Sequence, residues 1–371
     1  MVVLRDIHTT INTLLLAFAK LVKSLGGSRI RGMSKIKFIH SYHFIISLDN
    51  LLEAWREFLK GKRSRKDVQE FELNLMANIL DLHRELRDKT YCHSDYHAFN
   101  ISDPKPRNIH KASVRDRLLH HALYRQLYPF FDRTFIYDSY SCRMDKGTHN
   151  AINQFRAFGY KVSQNHTKTV WILKCDIKKF FASVDHSVLK KIISNYIPDQ
   201  DIKWLLWQVI DSFSVNKGRG LPLGNLTSQL FVNVYMNEFD QFMKHKLKAR
   251  YYIRYADDFA IFSDDKRYLK KMLSRIDLFL REKLKLYLHP NKVSIETVGS
   301  GVDFLGWVHF SDHRVLRTVS KRRMFRTIQV KQGNNETVQS YLGLLRHGNS
   351  HSLLSEIAEL VSKYDKDDVL D

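Results

Sequence analysis

Hydrophobic and polar positions follow two rhythms along this chain. Steps of three and four predict helices. Val68, Phe71, Leu75, Ile79, Leu82 and Leu86 fall on one helical face. A second helix is predicted from Val114 to Tyr128, with Leu118, Ala122 and Leu127 on one side and Pro129 ending it. Phe231, Tyr235, Phe239 and Phe242 predict a third helix, and Leu269, Met272, Ile276, Phe279 and Leu284 a fourth. Steps of two predict strands. Val170 to Ile177 reads as a buried strand in which Val170, Ile172, Lys174 and Asp176 share a side. Tyr251, Ile253 and Tyr255 alternate with Tyr252, Arg254 and Ala256, ahead of Phe259, Ile261 and Phe262, which predicts strand, tight turn, strand. Phe304 to Phe310 reads as a short hairpin, and the tail from Arg317 as basic and helical. Pro198 separates two helical patterns, while Pro104 and Pro106 break any helix between Ser102 and Arg107. Gly218, Gly220, Pro222 and Gly224 make a turn-rich loop. The order strand, helix, helix, hairpin, helix, strand predicts an α+β fold, a sheet with helices on one face.

Composition narrows the partners. With 371 residues, 44% of them hydrophobic, the chain is long enough for two or three subdomains around a substantial core. Lys and Arg number 60 against 39 Asp and Glu, a formal charge of +21, which favours a polyanion, nucleic acid ahead of membrane. The apolar run Ile11 to Val22 is broken by Lys20 and is too short to span a bilayer. It reads as an amphipathic or poorly ordered extension, with Met33 an alternative start. Cys92, Cys142 and Cys175 form no Cys-x-x-Cys pair and give a zinc site little support. Their odd number, without a recognisable signal peptide, predicts a reducing cytoplasm.

Three segments carry candidate chemistry. Asp257 and Asp258 sit side by side at the predicted hairpin tip, and such a pair needs solvent or a cation. In so basic a chain, a divalent metal serving phosphate chemistry is the candidate; a solvated Asp-Asp turn is the alternative. Asp176 ends the strand before them, and together they would offer carboxylates to two cations. Two metals about 3.5–4 Å apart stabilise the attacking and leaving oxygens of an in-line phosphoryl displacement. The alternative for Asp176 is an N-cap on the next helix. The third segment, Gly220 to Gln229, opens a helix; its glycines let backbone approach a phosphate or base, and a helix N-terminus is electropositive. A plain loop-to-helix junction is the alternative there. His120 and His121 show no ligand spacing and read as structural.

The ordered set Asp176-Ile-Lys-Lys-Phe-Phe, Leu221-Pro-Leu-Gly-Asn-Leu-Thr-Ser-Gln, Tyr255-Ala-Asp-Asp, Pro290-Asn-Lys292 and Phe304-Leu-Gly-Trp307 resembles a reverse transcriptase, over about Leu51 to His313. Its flavour is similar to the enzymes of diversity-generating retroelements. The markers are Leu223 to Gln229, Arg115-Asp-Arg117-Leu-Leu-His-His121, and Asp138-Ser-Tyr-Ser-Cys-Arg143 leading to Gly147-Thr-His149. The resemblance implies a right-hand polymerase: an N-terminal extension (1–45), fingers (46–169), a palm with an antiparallel sheet backed by helices (170–310), and a mainly helical thumb (311–371). It implies RNA-directed DNA synthesis with two Mg2+ ions, Mn2+ being the substitute. Asp176, Asp257 and Asp258 would be the palm carboxylates, with the Ile177 carbonyl a further ligand. Phe181 matches the ring that blocks a ribose 2′-hydroxyl, and Arg107 the fingers arginine on the triphosphate. Leu223, Gly224 and Gln229 would border the dNTP, and Lys292 matches a position proposed to protonate pyrophosphate. Leu305, Gly306 and Trp307 match the primer grip, with plain core the alternative for Trp307. Lys321, Arg322 and Arg323, with Arg314, Arg317 and Arg326, suit a thumb tracking a duplex backbone.

Departures from the pattern matter as well. Many relatives carry Gln where this chain has Leu223, which predicts low fidelity. No Lys lies between Lys89 and Lys105 to serve as the usual fingers lysine. Val293-Ser-Ile stands where retrons carry Val-Thr-Gly, and the sequence ends at Asp371 without a maturase region or endonuclease, so neither a retron nor a group II intron protein is expected. Expected partners are an RNA template, the DNA product duplex, dNTPs, and an accessory protein or noncoding RNA, with no membrane. Two other readings stand beside the retroelement one: an antiphage defence reverse transcriptase working with a noncoding RNA or partner polymerase, and a non-catalytic RNA-binding module.

Overall fold

The computed structural model describes residues 36–102 and 106–367. The Ile11 to Val22 run, Met33 and Pro104 lie outside them. The chain divides into two compact units, Met1–Lys37 and Phe38–Asp371; the second contains every element below.

Its first part is helical: α1 (Tyr42–Ile46), α2 (Leu48–Phe58), α3 (Lys66–Leu73), α4 (Leu75–Arg87) and α5 (Val114–Asp132), with a hairpin of β1 (His97–Ile101) and β2 (Arg107–Lys111) between α4 and α5. The helical period from Val68 to Leu86 is two helices broken at Asn74, where Asn78 turns its side-chain amide back to the Phe71 carbonyl, 2.9 Å away. Phe38, Tyr42 and Ile45, within the stretch 1–45 expected as an N-terminal extension, are buried in this core together with Ile46. Pro129 does not end α5. It sits in the last turn, where one backbone donor is lost, while Phe131 is buried just beyond it and Phe130 packs edge-on against Phe38.

The central sheet is antiparallel, in the order β4 (Tyr252–Tyr255), β5 (Asp258–Ser263), β3 (Trp171–Asp176), β6 (Ser294–Thr297). One face carries Leu173, Cys175, Tyr252, Phe259 and Ile261. It packs on α10 (Leu226–Gln241) and α11 (Lys266–Leu284), in one core with α8 (His186–Ser194) and α9 (Gln200–Asp211). The prediction of helices on one face only is corrected by α6 (Gly147–Val162): Ala151, Phe155 and Phe158 cover Ile172, Ile253, Ala260 and Phe262 on the other face. This helix, within the stretch 46–169 expected as fingers, lays its apolar stripe on the central sheet. A second antiparallel sheet, β7 (Val302–Phe304), β8 (Trp307–His309) and β9 (Arg314–Leu316), leads into α12 (Thr318–Val330), α13 (Asn335–Leu345) and α14 (His351–Asp367).

Candidate active site

Register brings the acids together. Asp176, the last residue of β3, lies directly opposite Asp258, the first residue of β5. Asp257 occupies the turn between β4 and β5, after Ala256 in the left-handed region at φ +54°. The three carboxylates cluster at one end of the face whose other end is covered by α6.

The turn is held from behind. Arg254 is fully buried and forks onto Asp240 of α10, with Nε and Nη2 donating at 2.8 and 2.7 Å. Tyr252 donates its hydroxyl to the same carboxylate at 2.7 Å. Nη1 of Arg254 donates to the Ala256 carbonyl at 3.0 Å, which fixes the peptide just before Asp257. The segment Asp138 to Arg143 lies beside β4: Tyr140 donates its N–H to the Arg254 carbonyl and Arg254 its own to Asp138.

On the acid face, charge is not balanced within the cluster. Burial, then the neighbouring Asp258 and Asp176, push Asp257 up to about 6. Burial also raises Asp258, with Lys174 on the same face opposing the rise. Lys292 donates to Asp176 Oδ2 at 2.8 Å. Burial alone would lower the Lys292 pKa, but the Asp176 bond and the other two acids raise it on balance. Its position comes from the strand end. The Asp176 backbone carbonyl accepts from His289 N–H, Lys178 N–H donates to the Tyr287 carbonyl, and Ile177 bridges Leu288. The chain then turns, Lys292 N–H reaching the His289 carbonyl at 3.1 Å, before β6 rejoins β3.

The predicted nucleotide-binding residues surround two connected loops. Phe181, half-buried in α7 (Phe180–Ser183), accepts the Leu221 N–H at its carbonyl. Leu223 is half-buried and Gly224 exposed just before α10; Gln229 follows on that helix. Gly224 has φ +103°, and a Cβ there would press the Ile109 side chain at 3.0 Å. The β1–β2 hairpin docks on this loop. His110 donates its N–H to the Leu223 carbonyl, and Asn225 Nδ2 donates back to the His110 carbonyl at 3.1 Å. Arg107 is exposed toward the hairpin tip.

Other sequence-predicted residues divide. Leu305 and Gly306 form a two-residue turn between β7 and β8, both left-handed. Trp307 is core: it is 1% exposed, packed with Ile152, Met324 and Ile328. Gly348 lies so close over its ring that a Cβ would meet Cζ3 at 2.0 Å. On α12, Lys321 pairs with Glu356 at 2.9 Å, Arg322 is exposed and Arg323 half-exposed. Arg314 is not free to track a duplex. It is buried beside Trp307, bonded to Asn153 and to the His347 carbonyl. Arg317 is paired with Asp303 at 3.0 Å. The three cysteines are free thiols, and among the described residues no helix is long and apolar enough to cross a membrane.

Sequence reasoning missed the Arg254–Asp240 pair. Its signal was a charge at an inward position of an otherwise apolar strand. Among the described residues, no three His, Cys, Asp or Glu side chains converge into a ready-made cage for one ion. The donor set still fits a hard divalent cation. Its acids are all oxygen ligands under mutual repulsion, and magnesium takes one or two carboxylates and completes its shell with water and phosphate.

The family model described as reverse transcriptase (RNA-dependent DNA polymerase) matches residues 101–309, more than half of the chain. Protein YkfC of Escherichia coli K12 is 26% identical over 275 residues, which cover 63% of this chain and 70% of YkfC. The group II intron-encoded protein LtrA of Lactococcus lactis subsp. cremoris is 22% identical over 364 residues, covering 77% of this chain and 58% of LtrA. Among solved structures, a telomerase from Candida albicans in complex with a fragment of telomeric RNA is similar at 13% identity and TM-score 0.46, covering 72% of this chain and 54% of that one.

Proposed function

Because this chain belongs to the reverse transcriptase family, we propose that it copies an RNA template into DNA by nucleotidyl transfer at Asp176, Asp257 and Asp258. The observation that carries this reading is the pairing of Asp176 with Asp258 across β3 and β5, with half-buried Asp257 at the adjoining turn. Acids crowded at the open end of a sheet face destabilise one another unless they bind something positive.

In the proposed reaction the primer 3′-oxygen attacks the α-phosphorus of a dNTP. The new P–O bond forms as the bond to pyrophosphate breaks, and the hydroxyl proton passes to solvent water. The three Asp side chains and the Ile177 carbonyl would hold two Mg2+ ions, which when bound supply charge neutralisation for the phosphate oxygens. Lys292, its ammonium held protonated against Asp176, donates a proton to the departing pyrophosphate. Phe181 excludes a 2′-hydroxyl by bulk. Arg107 on the hairpin and the Leu223–Gly224 turn frame the nucleotide, with Gln229 behind them. Leu305 and Gly306 border the primer, and Lys321, Arg322 and Arg323 track the duplex backbone.

For biological role we propose mutagenic copying of the diversity-generating type. Leu223, where many relatives carry Gln, gives no side-chain amide to judge the nascent pair. An accessory protein or noncoding RNA would be the partner, in the cytoplasm. The test is dTTP incorporation on poly(rA)/oligo(dT) with Mg2+. We expect extension by the wild type and a loss of roughly a thousand-fold or more in Asp257→Ala, with the folded circular dichroism spectrum retained. Robust extension by that variant would overturn the assignment.

A further inference from the structure

We infer that His120 is a positioning residue for nucleotide binding, acting through Thr227; this rests on the polymerase reading above. Both belong to motifs singled out in the sequence, Leu-Leu-His-His121 and Leu-Thr-Ser-Gln229, and the mechanism uses neither. The fold buries them together. His120 Nδ1 lies 3.3 Å from Thr227 Oγ1, and His120 Nε2 lies 3.2 Å from His93 Nε2. Thr227 is the second residue of α10, directly after the Leu223–Asn225 loop.

His93 Nδ1 is 2.6 Å from the Ser94 carbonyl, which can only accept, so Nδ1 carries the hydrogen. Burial pushes the His120 pKa down to about 3, so its ring is neutral and one nitrogen donates while the other accepts. His93 Nε2 and the Thr227 hydroxyl take the two complementary roles. The Tyr96 hydroxyl borders His93 Nε2 at 3.2 Å. Asp116 anchors the far end, accepting from the Tyr91 hydroxyl, the Ser113 hydroxyl and Ser94 N–H, with His93 Nδ1 3.8 Å away.

This chain adds a third tie between the fingers and the loop before α10. The other two are the exchanges of His110 with Leu223 and Asn225. The ties make the hairpin bearing Arg107 and the loop bearing Leu223 and Gly224 one body. A nucleotide held between them meets a preorganised pair of walls, so loosening the Thr227 tie weakens dNTP binding before it slows chemistry.

The test is steady-state dTTP incorporation on poly(rA)/oligo(dT) by Thr227→Val, which keeps the shape and removes the hydroxyl. Thr227→Ser keeps the hydroxyl. We expect Thr227→Val to raise the dTTP KM by about three- to ten-fold, the worth of one buried hydrogen bond, with kcat within about two-fold of wild type. Thr227→Ser should restore the wild-type KM. His120→Asn, whose side-chain amide can stand where Nδ1 does, should stay close to wild type, and His120→Gln, which reaches only toward His93, should behave like Thr227→Val. The two His120 variants carry the test should Thr227→Val fail to fold. Unchanged KM in Thr227→Val and His120→Gln, beside an extending wild type, overturns this inference alone; no extension by wild type overturns it together with the polymerase reading.

Discussion

The β4–β5 hairpin has two faces that handle buried charge in opposite ways. Behind it, Asp240 receives two donors from Arg254 and one from Tyr252, and nothing in that group is left over. In front, Asp257, Asp258 and Asp176 crowd together with one direct ammonium partner, Lys292 on Asp176. Arg254 and Asp257 are separated by only two residues. The satisfied face holds the geometry, and the unsatisfied face keeps its acids ready for a ligand. A site that balanced its own charges would have less to gain from binding cations.

Breaking the satisfied face should have the largest effect. Arg254→Met strands the Asp240 carboxylate in the core and should cost about 3–5 kcal/mol in urea unfolding. The double variant Arg254→Met/Asp240→Leu should recover most of that loss. A single-variant loss under about 1 kcal/mol would erase the contrast between the faces.

The unsatisfied face predicts an effect of the opposite sign. Asp257 titrates at about 6 in the folded protein against an ordinary 3.8. Between those values the folded chain holds a proton that the unfolded chain has released. The contribution of this group to stability therefore falls as pH rises through the window and is gone above it. Asp257→Asn cannot ionise. In EDTA at pH 7.5 it should be more stable than wild type by as much as about 3 kcal/mol, and the gap should close below pH 4. Thermal melts across pH would check this; a variant less stable than wild type at pH 7.5 would contradict it.

The smallest expected effect belongs to the one ammonium that touches the acids. Lys292→Ala should lower kcat about a hundred-fold, as for loss of a general acid, while Lys292→Arg retains charge but not ready proton donation. Equal rates in all three proteins would reduce Lys292 to a charge partner for Asp176.

Much of this site was legible in the sequence because its signals are local. Alternation placed Asp176 on one side of β3, and the Asp-Asp pair marked the turn. Lys292 was legible only through resemblance, since its contact with Asp176 depends on the Tyr287–His289 bridge. Contacts between distant segments left no such mark. Asp240 and Arg254 meet across a helix and a strand. The stripe of α6 could have packed among the fingers or on the palm, and periodicity does not name its partner. Pro129 shows the converse: the local rule was sound, and burial of Phe131 with the packing of Phe130 on Phe38 outweighed one missing donor. Arg314 looked like surface charge until the loop at His347 closed over it.

The bare backbone at Gly348 has a consequence for the last third of the molecule. The loop joining α13 to α14 comes close against the Trp307 indole at Gly348, and Asn349 N–H bonds the Arg314 carbonyl beside it. Aromatic ring thickness thus sets the spacing between the three closing helices and the small sheet beneath them. One added methyl would act as a shim, tilting those helices away from the hairpin that leads into them.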